Sequence, residues 1–184
     1  MAVGAFKIYK YMGASAATRS GIDDSSVCLT TSDSDVRPTN MTSYSLGVPT
    51  GVANNYSYEN WLKLEVISKP DTYMSGLKIW GPQDGNGWGA TGINIMMGVS
   101  TSGMTPVNTS GIKCSGVVGL GISGFAANYY GASNYLSLTR SGGTSFTGIG
   151  DISDFLVIQL QITSAALVNT GQHLSSLTIS YDEA

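Results

Sequence analysis

The sequence predicts an all-β protein: an antiparallel, two-sheet β-sandwich of jelly-roll-like form with about eight or nine strands. Its apolar residues alternate with a period of two, as in half-buried strands, and helical periodicity is almost absent. Strand-length segments are separated by turns rich in glycine, of which the 184 residues contain 24. Only 11% of residues are charged, far below the roughly 25% usual in soluble proteins. The length fits a single domain over residues 1–184.

Alternation places the strands one by one along the chain. Near the start, Phe6 and Ile8 oppose Lys7, Tyr9 and Tyr11. The same pattern recurs at residues 60–67, 77–80, 135–139, 155–162 and 177–181, and weaker strands fit Ser26–Thr31, Gly92–Val99 and Gly116–Ile122. Turn residues separate them at 70–71, 81–88, 141–143 and 170–171. Two longer irregular segments, near residues 33–58 and 98–111, are predicted to be loops between or across the sheets.

Residues Phe155–Ile162 form the strongest predicted strand. One face is apolar throughout, and Phe155 and Val157 make the start of the other face apolar as well. That second face turns polar at Gln159 and Gln161. This pattern is typical of a central strand that emerges from under a covering loop.

Charge and hydropathy exclude several classes of protein. The net charge is −3 and the pI is near 4.9, whereas nucleic-acid binding needs clustered Lys and Arg. The chain has no apolar run long enough to span a bilayer as a helix, which needs about 18 residues or more. Residues 1–10 lack the basic and apolar regions of a signal peptide. We therefore expect a protein that is made in a cytosol and binds neither nucleic acid nor membrane.

Residues suited to catalysis or metal binding are few. His173 is the only histidine, and the chain lacks a Gly-x-Ser-x-Gly nucleophile motif. One His and two separated Cys are too few for a zinc site. Acidic pairs at 23–24 and 33–35 and the Asp84-Gly-Asn-Gly87 segment could offer oxygens to calcium, but turn formation explains them equally well. We expect no enzyme activity, no cofactor and no metal.

Cys28 and Cys114 both lie in strand-like segments. Buried free thiols are the favoured interpretation, because unpaired Cys is among the most buried residue types. Pairing of the two stays open.

Aromatic residues beside Gly and Asn are the remaining candidates for binding. Trp80, Trp88 and the Tyr129-Tyr130 pair lie in or near predicted loops. Flat rings together with Asn and Asp can stack on sugars and bond their hydroxyls, and the same residue types are enriched at protein interfaces. At least half of these rings are expected to serve the core instead.

Four segments carry a resemblance to a known family. They are Lys7-Ile-Tyr-Lys-Tyr-Met-Gly13, the stretch from Pro49 through Asn54 to Lys63, Phe155–Ile162, and Leu177–Glu183. In style and order they resemble jelly-roll capsid decoration (cement) proteins of tailed phages. The resemblance implies a protein on the outside of the virion head, commonly a homotrimer, which binds the major capsid protein through loops or a terminal arm. It assigns no individual contact residue.

The sequence therefore predicts a virion structural protein that stabilises the capsid shell. The alternative is a carbohydrate-binding, lectin-like module of a phage head fibre or tail, which would bind surface glycans through the loop at Asp84–Trp88 and the Tyr129-Tyr130 pair.

Overall fold

Two antiparallel sheets pack face to face in the computed structural model, which describes residues 4–12, 18–21, 54–81, 92–101, 122–163 and 176–184. These residues contain ten strands and no helix. The strands are β1 (Ala5–Met12), β2 (Thr18–Gly21), β3 (Asn55–Tyr56), β4 (Asn60–Ser68), β5 (Met74–Trp80), β6 (Ile93–Ser100), β7 (Ile122–Ala126), β8 (Leu136–Ser137), β9 (Phe155–Ile162) and β10 (Thr178–Glu183). The predicted all-β, two-sheet sandwich is confirmed.

The larger sheet has seven strands in the order β2-β1-β4-β9-β6-β7, and β3 also pairs with β9. Strand β9 is central, as predicted: β6 pairs along its whole length on one side. On its other side, β4 pairs with its first half and β3 with its end. The smaller sheet has the order β10-β5-β8. Neighbours that are far apart in sequence, such as β4 and β9, require long crossover connections of the Greek-key kind.

The main core lies between the two sheets. Leu62, Leu64 and Val66 of β4 alternate inward against Leu77 and Ile79 of β5, and all five are almost completely buried. Alternation therefore predicts the inward faces correctly, because burial of one face of a strand selects apolar residues at every second position.

Strand β5 departs from simple alternation at Gly76, because its buried residues Met74 and Leu77 are three positions apart. The pairing with β10 shifts register between Ser180 and Asp182, opposite this glycine. Gly76 has φ of 60°, which glycine adopts without steric cost. The extra residue is a β-bulge that lets both Met74 and Leu77 face the core.

Several predicted boundaries are wrong. The loop placed at 98–111 begins too early, since β6 continues to Ser100. The loop placed at 33–58 contains β3, and the strand at 135–139 is reduced to Leu136–Ser137. The strand predicted over Gly116–Ile122 meets the described residues only at Ile122, where β7 begins. The predicted strand Ser26–Thr31 and residues 33–53 and 102–111 of the two loops lie outside the described residues.

Gln159 also differs from expectation. The sequence predicts that the polar end of β9 is exposed to solvent, yet the Gln159 side chain is fully buried. Its amide donates a hydrogen bond of 2.8 Å to the carbonyl oxygen of Ser57, in the short segment between β3 and β4. A partner 102 residues away thus satisfies this polar group inside the sheet.

Candidate functional site

Large apolar side chains are exposed at the end of the sandwich where β4 connects to β5. Ile67, Tyr73 and Ile149 are 49%, 37% and 69% exposed, and among the described residues Tyr135 alone joins them as an exposed large hydrophobic side chain. The N–H of Gly150 donates to the carbonyl of Val66 at 2.9 Å, which brings Ile149 beside the end of β4. We call Ile67, Tyr73 and Ile149 the apolar end.

Ile149 is displayed by a turn whose backbone is fixed. One carboxylate oxygen of Asp151 accepts hydrogen bonds from the N–H groups of Thr147, at 2.7 Å, and Gly148, at 2.9 Å. The N–H of Asp151 donates back to the carbonyl of Gly148 at 3.1 Å. Gly150 has φ of 89°, a conformation that side-chain-bearing residues rarely adopt. The turn therefore holds an isoleucine in solvent without relying on contacts of that side chain.

Arg140, on the other arm of the loop between β8 and β9, forms an ion pair with Asp151. Its Nε lies 3.1 Å from Oδ1 of Asp151. Burial raises the pKa of the Asp151 carboxyl, but the N–H groups of Thr147 and Gly148 and the Arg140 guanidinium outweigh burial, so its pKa is lowered. The carboxylate is thus held in the charged form that the turn requires.

Phe146 anchors the same loop to the core. Its N–H and C=O both bond to the backbone of Met74, at 2.8 and 2.9 Å. Its ring is 1% exposed and meets the Phe6 ring edge-on, with centroids 5.1 Å apart. One end of the loop is therefore fixed in the sandwich while Ile149, three residues later, faces solvent.

A second cluster lies on the face of the larger sheet that points away from the core. Trp61 and Tyr11 each pack edge-on against the Phe155 ring with centroids 5.3 Å apart, and Nζ of Lys63 lies 4.3 Å from its centroid. Burial lowers the pKa of Lys63, and the charge of Asp154 opposes that shift. Trp61, Phe155 and Lys63 are all buried, so this cation–aromatic stack belongs to a second, smaller core.

Of the predicted aromatic candidates, Trp80, Tyr129 and Tyr130 lie among the described residues. Gly81, next to Trp80, bonds to the backbone of Tyr129 and forms a bridge with Tyr130, so these three rings belong to neighbouring segments. The Tyr129 hydroxyl donates to the carbonyl of Gly124 at 2.5 Å, and its ring packs on the main core. Burial raises its pKa. Tyr129 therefore has a structural role.

The other candidates lie outside the described residues. They are Cys28, Cys114, Trp88, His173, and the acidic segments at 23–24, 33–35 and 84–87.

Sequence reasoning missed the turn around Ile149. Its signal is the segment Thr147-Gly-Ile-Gly-Asp151, in which a lone isoleucine stands between two glycines and an Asp follows. Asp is a frequent acceptor for neighbouring backbone N–H groups in turns.

In the part of the chain that the structure describes, no three His, Cys, Asp or Glu residues lie close enough together to bind a metal ion. The same residues include no helix with the length and hydropathy of a membrane span. Comparison with family models, curated proteins and solved structures finds no match to this chain.

Proposed function

We propose that this chain is a non-enzymatic docking protein that binds a larger protein assembly through its apolar end. The observation that carries the proposal is Ile149, 69% exposed on a turn fixed by Asp151. Exposing an isoleucine forgoes about 1.5–3 kcal/mol of burial free energy. A partner that covers Ile149 would recover that free energy.

The rigidity of the turn strengthens the case for docking. A loop ordered before binding loses little conformational entropy when its partner arrives. Interfaces commonly draw most of their affinity from a few central side chains that become fully desolvated. Ile149, with Ile67 and Tyr73 at the same end of the sandwich, has the size and position for such a centre.

The assembly we propose is the protein shell of a virion head, with the chain as a decoration protein on its outer surface. Support for this setting is the resemblance of four segments to phage decoration proteins, together with the two-sheet β architecture. The low charged fraction of 11% is also favourable, because few charges have to be desolvated when large surfaces meet. A homotrimer bound to the major capsid protein is the form that the resemblance implies.

Two linked measurements test this function. Light scattering of the purified chain gives its oligomeric order, and co-sedimentation with assembled capsid shells of tailed phages gives binding. We expect a trimer that pellets with the shells of one phage at micromolar concentration. A monomer that stays in the supernatant with every shell tested would contradict the proposal.

A further inference from the structure

A groove of about 450 Å³ opens on the outer side of the smaller sheet, separate from the apolar end. It lies between β5 and the chain that leaves β8. Leu138 donates a backbone hydrogen bond to Leu77 at 2.9 Å, and Phe146 pairs with Met74. Between these two pairings, residues 139–145 diverge from β5 and leave the sheet open.

Hydroxyls are the commonest polar side-chain groups along the groove. The residues that line it include one amine, Lys78, and one aromatic ring, Tyr135, over a floor at Leu77 and Leu138. Five lining residues carry aliphatic hydroxyls: Ser75, Ser137, Thr139, Thr144 and Ser145. Each hydroxyl can both donate and accept a hydrogen bond. Of these, the Thr139 hydroxyl donates to Oδ2 of Asp154 at 2.6 Å, which leaves its oxygen free to accept.

Tyr135 offers the groove a flat apolar surface. It is 37% exposed, and Nζ of Lys78 lies 5.2 Å from its ring centroid. A cation within about 6 Å of a ring centroid is attracted to the face of the ring. Lys78 therefore helps to hold Tyr135 at the edge of the groove.

We propose that this groove binds a neutral saccharide, with Tyr135 stacked on a sugar ring and the serine and threonine hydroxyls bonded to its hydroxyl groups. This goes beyond the proposed docking function and uses a different surface. A volume of 450 Å³ lies within the range of small-ligand sites, about 300–1,000 Å³. A ligand rich in vicinal hydroxyls matches a lining in which every polar side chain but one is a hydroxyl.

Charge favours a neutral sugar over an acidic one. Lys78 is the only Lys, Arg, Asp or Glu among the lining residues, and it already faces the Tyr135 ring. The Asp182 carboxylate lies next to Gly76, against the position that a Cβ would take there. The negative charge of Asp182 would repel an anionic ligand, whereas it would not repel a neutral one.

The test begins with an array of neutral and acidic oligosaccharides, and a neutral saccharide that binds is then titrated by calorimetry. Tyr135→Ala should weaken binding about tenfold or more, which corresponds to about 1.4 kcal/mol, because tyrosine is enriched among the few side chains that dominate binding free energy. Ser137→Ala, which removes the hydroxyl without adding bulk, should also weaken binding. Tyr73→Ala is the matched control, because Tyr73 is equally exposed and does not line the groove; this variant should bind like the wild type.

The outcomes separate this inference from the docking proposal. An array without neutral binders, or a titration that Tyr135→Ala and Ser137→Ala leave unchanged, would overturn the saccharide site. Binding restricted to acidic sugars would also overturn it. None of these results bears on docking through Ile149, which the shell experiment measures.

Discussion

Nε of Arg140 lies 3.1 Å from Oδ1 of Asp151, and this contact joins the two arms of the loop between β8 and β9. The arm that carries Arg140 is paired with Ser153 through an isolated bridge. The arm that carries Asp151 forms the turn under Ile149. This ion pair thus adds to the backbone hydrogen bonds of Gly150 and Asp151 with Val66, which hold the turn at the end of β4. The turn carries Ile149, the most exposed large apolar side chain among the described residues.

Asp151→Asn should loosen this turn. The substitution removes the ion pair and weakens the acceptor for Thr147 and Gly148. We expect a loss of about 1–2 kcal/mol in the free energy of unfolding, measured by urea titration. Asp71→Asn is the control, because Asp71 is exposed in the bend after β4 and its substitution should change stability by no more than about 0.5 kcal/mol.

The same carboxylate predicts a pH dependence. The pKa of Asp151 is lower in the folded protein than in the unfolded chain, so its charge stabilises the fold above the unfolded value of about 3.9. That contribution is lost as pH falls through the folded pKa. The stability difference between wild type and Asp151→Asn should be constant above about pH 5 and should shrink below about pH 4. A difference that grows on acidification would show that this sign is wrong.

Phe146 should account for much of the stability of the loop. It is 1% exposed, and its ring packs against Phe6. Phe146→Ala should cost about 3–5 kcal/mol of unfolding free energy. Phe146→Leu, which stays folded more readily, should cost about 1 kcal/mol. Ile149→Ser, three residues away but exposed, should stay within about 0.5 kcal/mol of the wild type.

Gly98 tests the contact between β6 and β7. A Cβ at this position would lie 2.8 Å from Cγ2 of Ile122 and 2.9 Å from the carbonyl oxygen of Ser123. Gly98→Ala should therefore cost about 1–3 kcal/mol, because the backbone oxygen cannot move aside cheaply. At Gly148 a Cβ would meet nothing within 4 Å. Equal thermal stability of Gly98→Ala and Gly148→Ala would show that this close approach is absent.

Alternation predicts the sandwich well, because its signal is local. In β4 and β9 every second residue faces the core, and the sequence has apolar residues at those alternate positions. Strand β2, Thr18-Arg-Ser-Gly21, escapes prediction since it has no large apolar side chain to alternate. Strand β3 has two residues, too few to show any period.

The candidate surfaces were harder to predict because they depend on distant partners. A tyrosine beside Asn128 resembles a sugar platform, yet the hydroxyl of Tyr129 is held by Gly124. Isoleucine is usually a core residue. Ile149 is exposed because Asp151 forms hydrogen bonds that fix the turn around it. The groove beside Tyr135 exists because residues 139–145 diverge from β5. No local sequence pattern predicts this divergence.

The most direct test of the account is co-sedimentation of Ile149→Ser with the capsid shells that bind the wild-type protein, beside Tyr135→Ser as an exposed control. Burying one isoleucine contributes about 1.5–3 kcal/mol, so Ile149→Ser should bind at least about tenfold more weakly. Tyr135→Ser should bind the shells like the wild type. Equal binding by Ile149→Ser and the wild type would contradict docking through the apolar end.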